Sequence, residues 1–125
     1  NGYAHIAYYD GTNSDIKYAR WTGVAWSTKT VDGNGYDPSI ALDSNGYPHI
    51  SYTAVAQNLM YAKWTGAAWS VEIVDSNAGC SGTSIVVDSG NNPHISYCSL
   101  TNTLKYAKKF GSWTSLKFPA VSSRP

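Results

Sequence analysis

The stretch Ser39-Ile40-Ala41-Leu42-Asp43-Ser44-Asn45-Gly46-Tyr47-Pro48-His49-Ile50-Ser51-Tyr52 returns later in the chain as Ser84-Ile85-Val86-Val87-Asp88-Ser89-Gly90-Asn91-Asn92-Pro93-His94-Ile95-Ser96-Tyr97. A shorter copy, Ala4-His5-Ile6-Ala7-Tyr8, stands near the start, so that His5, His49 and His94 are 44 and 45 residues apart. The flanks repeat as well. Ile16-Lys17-Tyr18-Ala19-Arg20-Trp21 recurs as Leu59-Met60-Tyr61-Ala62-Lys63-Trp64 and as Leu104-Lys105-Tyr106-Ala107-Lys108-Lys109. Trp21-Thr22-Gly23-Val24-Ala25-Trp26 matches Trp64-Thr65-Gly66-Ala67-Ala68-Trp69 and degrades to Phe110-Gly111-Ser112-Trp113 in the third copy. Val31-Asp32 matches Val74-Asp75, with Phe118-Pro119 in third place.

Each full repeat reads as four short strands. Ser39 to Asp43 and Ser84 to Asp88 are short apolar runs, the pattern of a strand buried on both faces. A turn at Asp43-Ser44-Asn45-Gly46 leads into His49 to Thr53, where Ile50 and Tyr52 alternate with His49 and Ser51. Leu59 to Trp64 and Trp69 to Val74 supply the third and fourth strands, rich in the aromatic and β-branched residues that favour sheets. No helical period or helix cap is found. A four-stranded antiparallel unit recurring every 40 to 50 residues is the mark of a β-propeller blade. The fold predicted is all-β: about three four-stranded blades of roughly 44 residues, the first without its inner strand. The blades fall at 1–32 (partial), 36–75 and 81–118, with 119–125 leading toward a further strand. A stacked solenoid or plain array of three sheets is the alternative.

The repeat resembles the blades of secreted bacterial multi-repeat proteins, and through them the sialidase-like and lectin-like propellers. That resemblance covers the whole chain and implies fold more than function, because propellers host many functions. It also departs from the sialidase pattern: no copy carries the Ser-x-Asp-x-Gly-x-Thr-Trp turn. A sialidase-like site would need an arginine cluster, and the chain holds two arginines, Arg20 and Arg124, and a single glutamate, Glu72. An enzyme is therefore not expected.

Composition excludes further classes. Of the 125 residues, 14 % are charged, and the net charge is +1, so there is no basic excess for nucleic-acid binding. Aromatic content is also 14 %, against disorder. No apolar run reaches the roughly 18 residues of a membrane-spanning helix. Few charges, abundant Tyr, Trp, Ser, Thr, Asn and Gly, and two cysteines suggest an extracellular or cell-surface protein. No signal peptide is visible ahead of Asn1-Gly2-Tyr3. Three blades do not close a ring. The chain is expected either to belong to a longer propeller or to associate with a second copy into six blades.

The chemistry-bearing residues divide by position. His5, His49 and His94 occupy equivalent places on the second strand, away from the axis, and read as hydrogen-bonded structural residues; no metal site or cofactor is expected. Asp43 and Asp88 cap turns. Cys80 and Cys98 fall near the open end of one hairpin, where a disulfide is possible; two buried thiols are the other reading. Trp26, Trp69 and Trp113 read as packing between blades. The best binding lead is the repeated aromatic set Tyr18, Trp21, Tyr61, Trp64 and Tyr106, because aromatic faces stack on sugar rings. One weak site per blade would gain by multivalency. The expected function is a non-enzymatic, carbohydrate-binding or lectin-like module whose partner is a glycan or a protein. A self-assembling structural segment is the alternative, and a piece of a larger glycosidase-like propeller a second one.

Overall fold

A computed structural model describes residues 2–79 and 82–118. Eleven strands form three antiparallel sheets, with no helix among the described residues. The first sheet holds β1 (His5–Asp10), β2 (Asp15–Trp21) and β3 (Trp26–Gly33). The second runs in order through β4 (Gly35–Leu42), β5 (Pro48–Ala54), β6 (Leu59–Trp64) and β7 (Trp69–Asp75). The third holds β8 (Ser84–Val87), β9 (Pro93–Cys98), β10 (Leu104–Phe110) and β11 (Ser112–Lys117). These are the meandering blades of a propeller, the first with three strands.

Packing is face to face between successive sheets. Ile16, Tyr18 and Val31 of the first sheet pack on Ile50, Tyr52 and Ala62 of the second. Leu59 and Tyr61, on the opposite face of the second sheet, pack on Ile85, Ile95, Tyr97 and Ala107 of the third. Because both its faces are covered, β5 is buried from Pro48 through Thr53. The polar residues of that strand are buried with it: Ser51 Oγ meets Thr83 Oγ1 at 2.7 Å. Gly35 marks how closely the first two sheets approach. A Cβ there would lie 2.7 Å from Tyr52 Cδ2 and 2.8 Å from Ile16 Cγ1.

One expectation needs correction. The inner strands β4 and β8 are not buried on both faces: Leu42 is 40 % exposed and Val86 60 %. Leu42 faces the first sheet, which has no inner strand among the described residues to cover it. Val86 faces away from the second sheet. An apolar run in a strand signals that both faces can be covered, and each face still needs a neighbouring strand to cover it.

A polar lattice repeats with the blades. Tyr18, Tyr61 and Tyr106 each set their hydroxyl 2.6 Å from Nδ1 of the histidine on the adjacent strand, His5, His49 and His94. Nε2 of His49 and of His94 lies 3.0 and 2.8 Å from Asp43 and Asp88. The other carboxylate oxygen caps the turn, accepting the Asn45 and Tyr47 amides in one blade and the Gly90 and Asn92 amides in the next. His49 and His94 are thus structural pillars, joining a turn to the third strand, and His5 makes the same tyrosine contact. A second link crosses between blades. The Tyr52 hydroxyl donates to Asp32 and the Tyr97 hydroxyl to Asp75, each at 2.6 Å. Both aspartates follow a bulge in which Val31 or Val74 is the extra residue. The bulge seats the valine in the core and re-aims the next side chain toward the following blade.

Burial is the larger influence on the His49 imidazole and holds it below its ordinary pKa, although the Asp43 contact pulls the other way. Burial pushes the Asp43 carboxyl up, but His49 and two backbone amides outweigh it and leave the group low. Asp75 is likewise low, since Lys105 and Tyr97 outweigh its burial. With folded values below unfolded ones, both residue types stabilise the fold above their unfolded pKa and lose that contribution as pH falls. The melting temperature is expected to hold near pH 7–8, to fall as pH drops below about 6.5, and to fall further below about 4. Scanning calorimetry from pH 8 to 3 checks this. His49→Gln should remove much of the upper step, and a parent melting temperature unchanged between pH 7 and 5 would refute the assignment.

Candidate functional site

The seam between sheets widens into a cleft at the end where the β4–β5 and β6–β7 turns lie. The first cleft, about 340 Å³, is walled by Tyr18, Arg20 and Lys29 of the first sheet and Tyr47, Trp64 and Trp69 of the second. A second, about 370 Å³, lies between the second and third sheets and includes Tyr61, Lys63, Glu72, Asn92 and Lys109. The two use equivalent positions: Tyr18 and Tyr61, Arg20 and Lys63, Lys29 and Glu72, Trp64 and Lys109. Strand register confirms the third pair, since Lys29 lies opposite Tyr18 and Glu72 opposite Tyr61.

Local sequence builds each wall. Alternation on the third strand sends Tyr18 and Arg20, or Tyr61 and Lys63, to the face that meets the next blade. The Thr65-Gly66-Ala67-Ala68 turn brings Trp64 and Trp69 opposite one another, with ring centroids 5.5 Å apart. Thr65 stabilises this turn by donating its hydroxyl to the Ala68 carbonyl and accepting the Ala68 amide. Gly66 takes φ +97° there, and a Cβ would meet the Tyr47 hydroxyl at 2.8 Å. Trp69 then stands edge-on to Tyr18 at 5.5 Å, and Trp113 edge-on to Tyr61 at 5.1 Å. These two tryptophans pack between blades as expected. Trp26, at the same position in the first sheet, is 51 % exposed, because no described sheet lies on that side.

The expected aromatic set is only partly gathered. Tyr18 and Trp64 meet in the first cleft, and Tyr61 lies in the second. Tyr106 lines a smaller hollow, about 250 Å³, on the outer face of the third sheet, beside Lys108 and Leu116. Trp21 packs on Trp26 at 5.4 Å and lines neither cleft. Cys98 ends β9, and its expected pairing falls on Cys80, which lies outside the described residues. The charged members of the clefts were missed. Arg20, Lys29, Lys63 and Glu72 are not in the expected aromatic set, although their repeat-equivalent positions carry the signal that they share one place in successive seams.

Electrostatics separate the clefts. Glu72 accepts the Trp113 indole N–H at 3.0 Å and the Lys109 ammonium at 2.7 Å. In the first cleft Lys29 lies 5.7 Å over the Trp64 ring, and the buried Trp69 indole nitrogen has no partner. Burial and the neighbouring Arg20 keep the His5 imidazole below its ordinary pKa.

No protein-family model and no curated protein matches the chain. Among solved structures it is similar to a fucose lectin from Kordia zhangzhouensis in complex with methyl-fucoside, with a TM-score of 0.68 at 18 % identity, over 95 % of this chain and 94 % of that one. It is also similar to AofleA from Arthrobotrys oligospora, with a TM-score of 0.60 at 20 % identity, over 98 % of this chain and 43 % of that one. A variant of AofleA with three arginines replaced by alanine gives a TM-score of 0.76 at 12 % identity, over 96 % and 39 %. The chain therefore spans nearly the whole of the first protein and about two-fifths of the second. At these identities the likeness establishes a shared propeller-like fold.

The Glu72–Trp113 bond joins two blades and should be measurable. Urea unfolding of Glu72→Ala, Trp113→Phe and the double variant is expected to give a coupling energy of about 0.5–1.5 kcal/mol. Strict additivity would show that the bond contributes nothing.

Proposed function

We propose that the chain is a non-enzymatic, lectin-like module that binds glycans in the clefts between its blades. The observation that carries this reading is the first cleft itself. An indole face, Trp64, stands across from hydrogen-bonding side chains in a recess sized for one or two sugar rings, and a related recess recurs at the next seam. Pyranose C–H groups stack on indole faces while hydroxyls take directed bonds from arginine, lysine or carboxylate. The lectin neighbours support the same reading, one of them holding methyl-fucoside. Binding without catalysis suits the acidic groups. Asp32, Asp43, Asp75 and Asp88 are each committed to a tyrosine hydroxyl or an imidazole, and Glu72 to Trp113 and Lys109. Shallow clefts with few bonds imply a dissociation constant on the order of 1 mM per site, about −4 kcal/mol. Useful affinity then comes from several sites engaging a branched glycan together, as suits an extracellular or cell-surface protein.

Titration of the ¹⁵N-labelled chain with methyl glycosides of fucose, galactose, glucose and N-acetylglucosamine tests this. The expected result is a saturable shift of tryptophan indole signals by at least one sugar, lost in Trp64→Ala. A panel that moves no indole signal would overturn the reading.

Self-association is a second reading, favoured by the outer faces of the described sheets. Ile6 and Trp26 expose on one side what their counterparts Ile50 and Trp69 bury or half-bury, and Leu104, Leu116 and Val86 are exposed on the other. A second copy joining leading face to trailing face would cover both, completing six blades. Light scattering is expected to give twice the 13.5 kDa chain mass. A monomer at high concentration would refute this pairing.

A further inference from the structure

The two clefts share a plan and differ in the sign of one residue. At the second seam, Glu72 supplies the acceptor for the Trp113 indole N–H, and Lys109 binds the same carboxylate. At the first seam, Lys29 holds the equivalent position and has only donors to offer. The Trp69 indole nitrogen is left buried without a partner, an uncommon state for so strong a donor. Arg20 reaches the same cleft, and neither it nor Lys29 has a carboxylate partner among the described residues. No aspartate or glutamate lines the cleft. Two cations therefore face a recess that no carboxylate lines, and the indole N–H of one of its wall residues is buried without a partner.

We infer that the first cleft takes an acidic saccharide, its ring displacing Lys29 from the face of Trp64 and its carboxylate met by Arg20, by Lys29 and, once the side chains that cover it move aside, by the Trp69 indole N–H. This rests on the glycan-binding reading and narrows it for one cleft. The second seam shows the bond in question already made: an indole at that position donates to a carboxylate oxygen. What the chain supplies from Glu72 at one seam, the ligand supplies at the other. Guanidinium adds a planar fork suited to a carboxylate, and lysine a mobile point charge. In the second cleft Glu72 already supplies that acceptor.

The test uses the full chain, ¹⁵N-labelled at tryptophan, with the Trp69 indole signal identified from Trp69→Phe. Methyl glycosides of glucuronic and galacturonic acid are titrated beside those of glucose and galactose, with sodium acetate as a third arm. At least one uronoside is expected to shift the Trp69 indole signal and to bind about tenfold more tightly than its neutral counterpart at low salt, in keeping with one charge-assisted interaction. Lys29→Glu, a change at an exposed position, should abolish that preference, and Arg20→Gln should reduce it. Equal binding of uronoside and neutral glycoside, or an unchanged preference in Lys29→Glu, would overturn the inference while leaving the glycan reading intact. Acetate binding as tightly as the uronoside would overturn it too, since the ring would then contribute nothing. Failure of every glycoside to move any indole signal would remove the glycan reading on which it rests.

Discussion

Ile6, Ile50 and Ile95 occupy one position in three successive blades, and their environments differ through what lies across from them. Ile50 and Ile95 are fully buried because another sheet faces each; Ile6 is 44 % exposed because none of the described sheets does. Fully burying such a side chain is worth about 1.5–3 kcal/mol. A blade standing alone has two such faces open to water, so its stability resides in its neighbours. The other features of this molecule follow from that dependence on face-to-face packing. It explains why β5, with sheets on both sides, is the most buried strand, and why Gly35 is needed where two sheets meet most closely.

Apolar faces pressed together define no rotation of one sheet against the next. The tyrosine bonds do. Tyr52 and Tyr97 stand in the second strand of one blade and donate to the aspartate ending the fourth strand of the blade before. Those hydroxyls are nearly sealed from water, and burial together with the neighbouring carboxylate pushes their pKa well above the ordinary tyrosine value, so they remain donors throughout the physiological range. Within each blade, the Asp43–His49–Tyr61 set fixes the turn to the third strand in the same directed way. Apolar packing supplies the larger stabilisation, and these short polar bonds specify the angle between blades. The cleft inherits its shape from that angle.

How far the sequence could be read follows from the range of each signal. Period, strand alternation and turn chemistry are local or repetitive, and the succession of four strands per blade was legible from Ser39–Tyr52 and its copies. The structural role of the histidines was legible too, because a residue recurring away from the axis cannot converge with its copies on one ion. Burial of the inner strands was misread, because apolar content says what a strand tolerates and leaves open whether a neighbour is present. The partner of Trp113 was not legible: Glu72 lies 41 residues earlier, and the third-copy loss of the Trp21/Trp64 position, to Lys109, gives no hint that all three meet. Trp21 was grouped with Trp64 by equivalence, yet equivalent residues share a site only where both have a neighbouring blade.

The clefts are where the repeat departs from itself, and the reason lies in what each position must do. Tyr52 and Tyr97, His49 and His94, and Ile50 and Ile95 set the geometry between and within blades, and any change there would alter every seam that depends on it. Arg20 and Lys63, Lys29 and Glu72, and Trp64 and Lys109 lie at the wider end of the seam, where the sheets have already been fixed by bonds deeper in. Charge can change there at a smaller cost to the stack than at those deeper positions. The Trp69–Trp113 pair shows the limit of that freedom. The ring is held by tyrosine packing at both seams, while the N–H partner exists at only one. Had packing alone been required, a phenylalanine would have served without leaving a buried donor unmatched. Retaining an indole at the first seam makes sense if something from outside the chain completes its bond. On the glycan-binding reading proposed above, the clefts are two sites of unlike charge on one repeated frame, and the unsatisfied N–H of Trp69 marks the one that lacks an acceptor of its own.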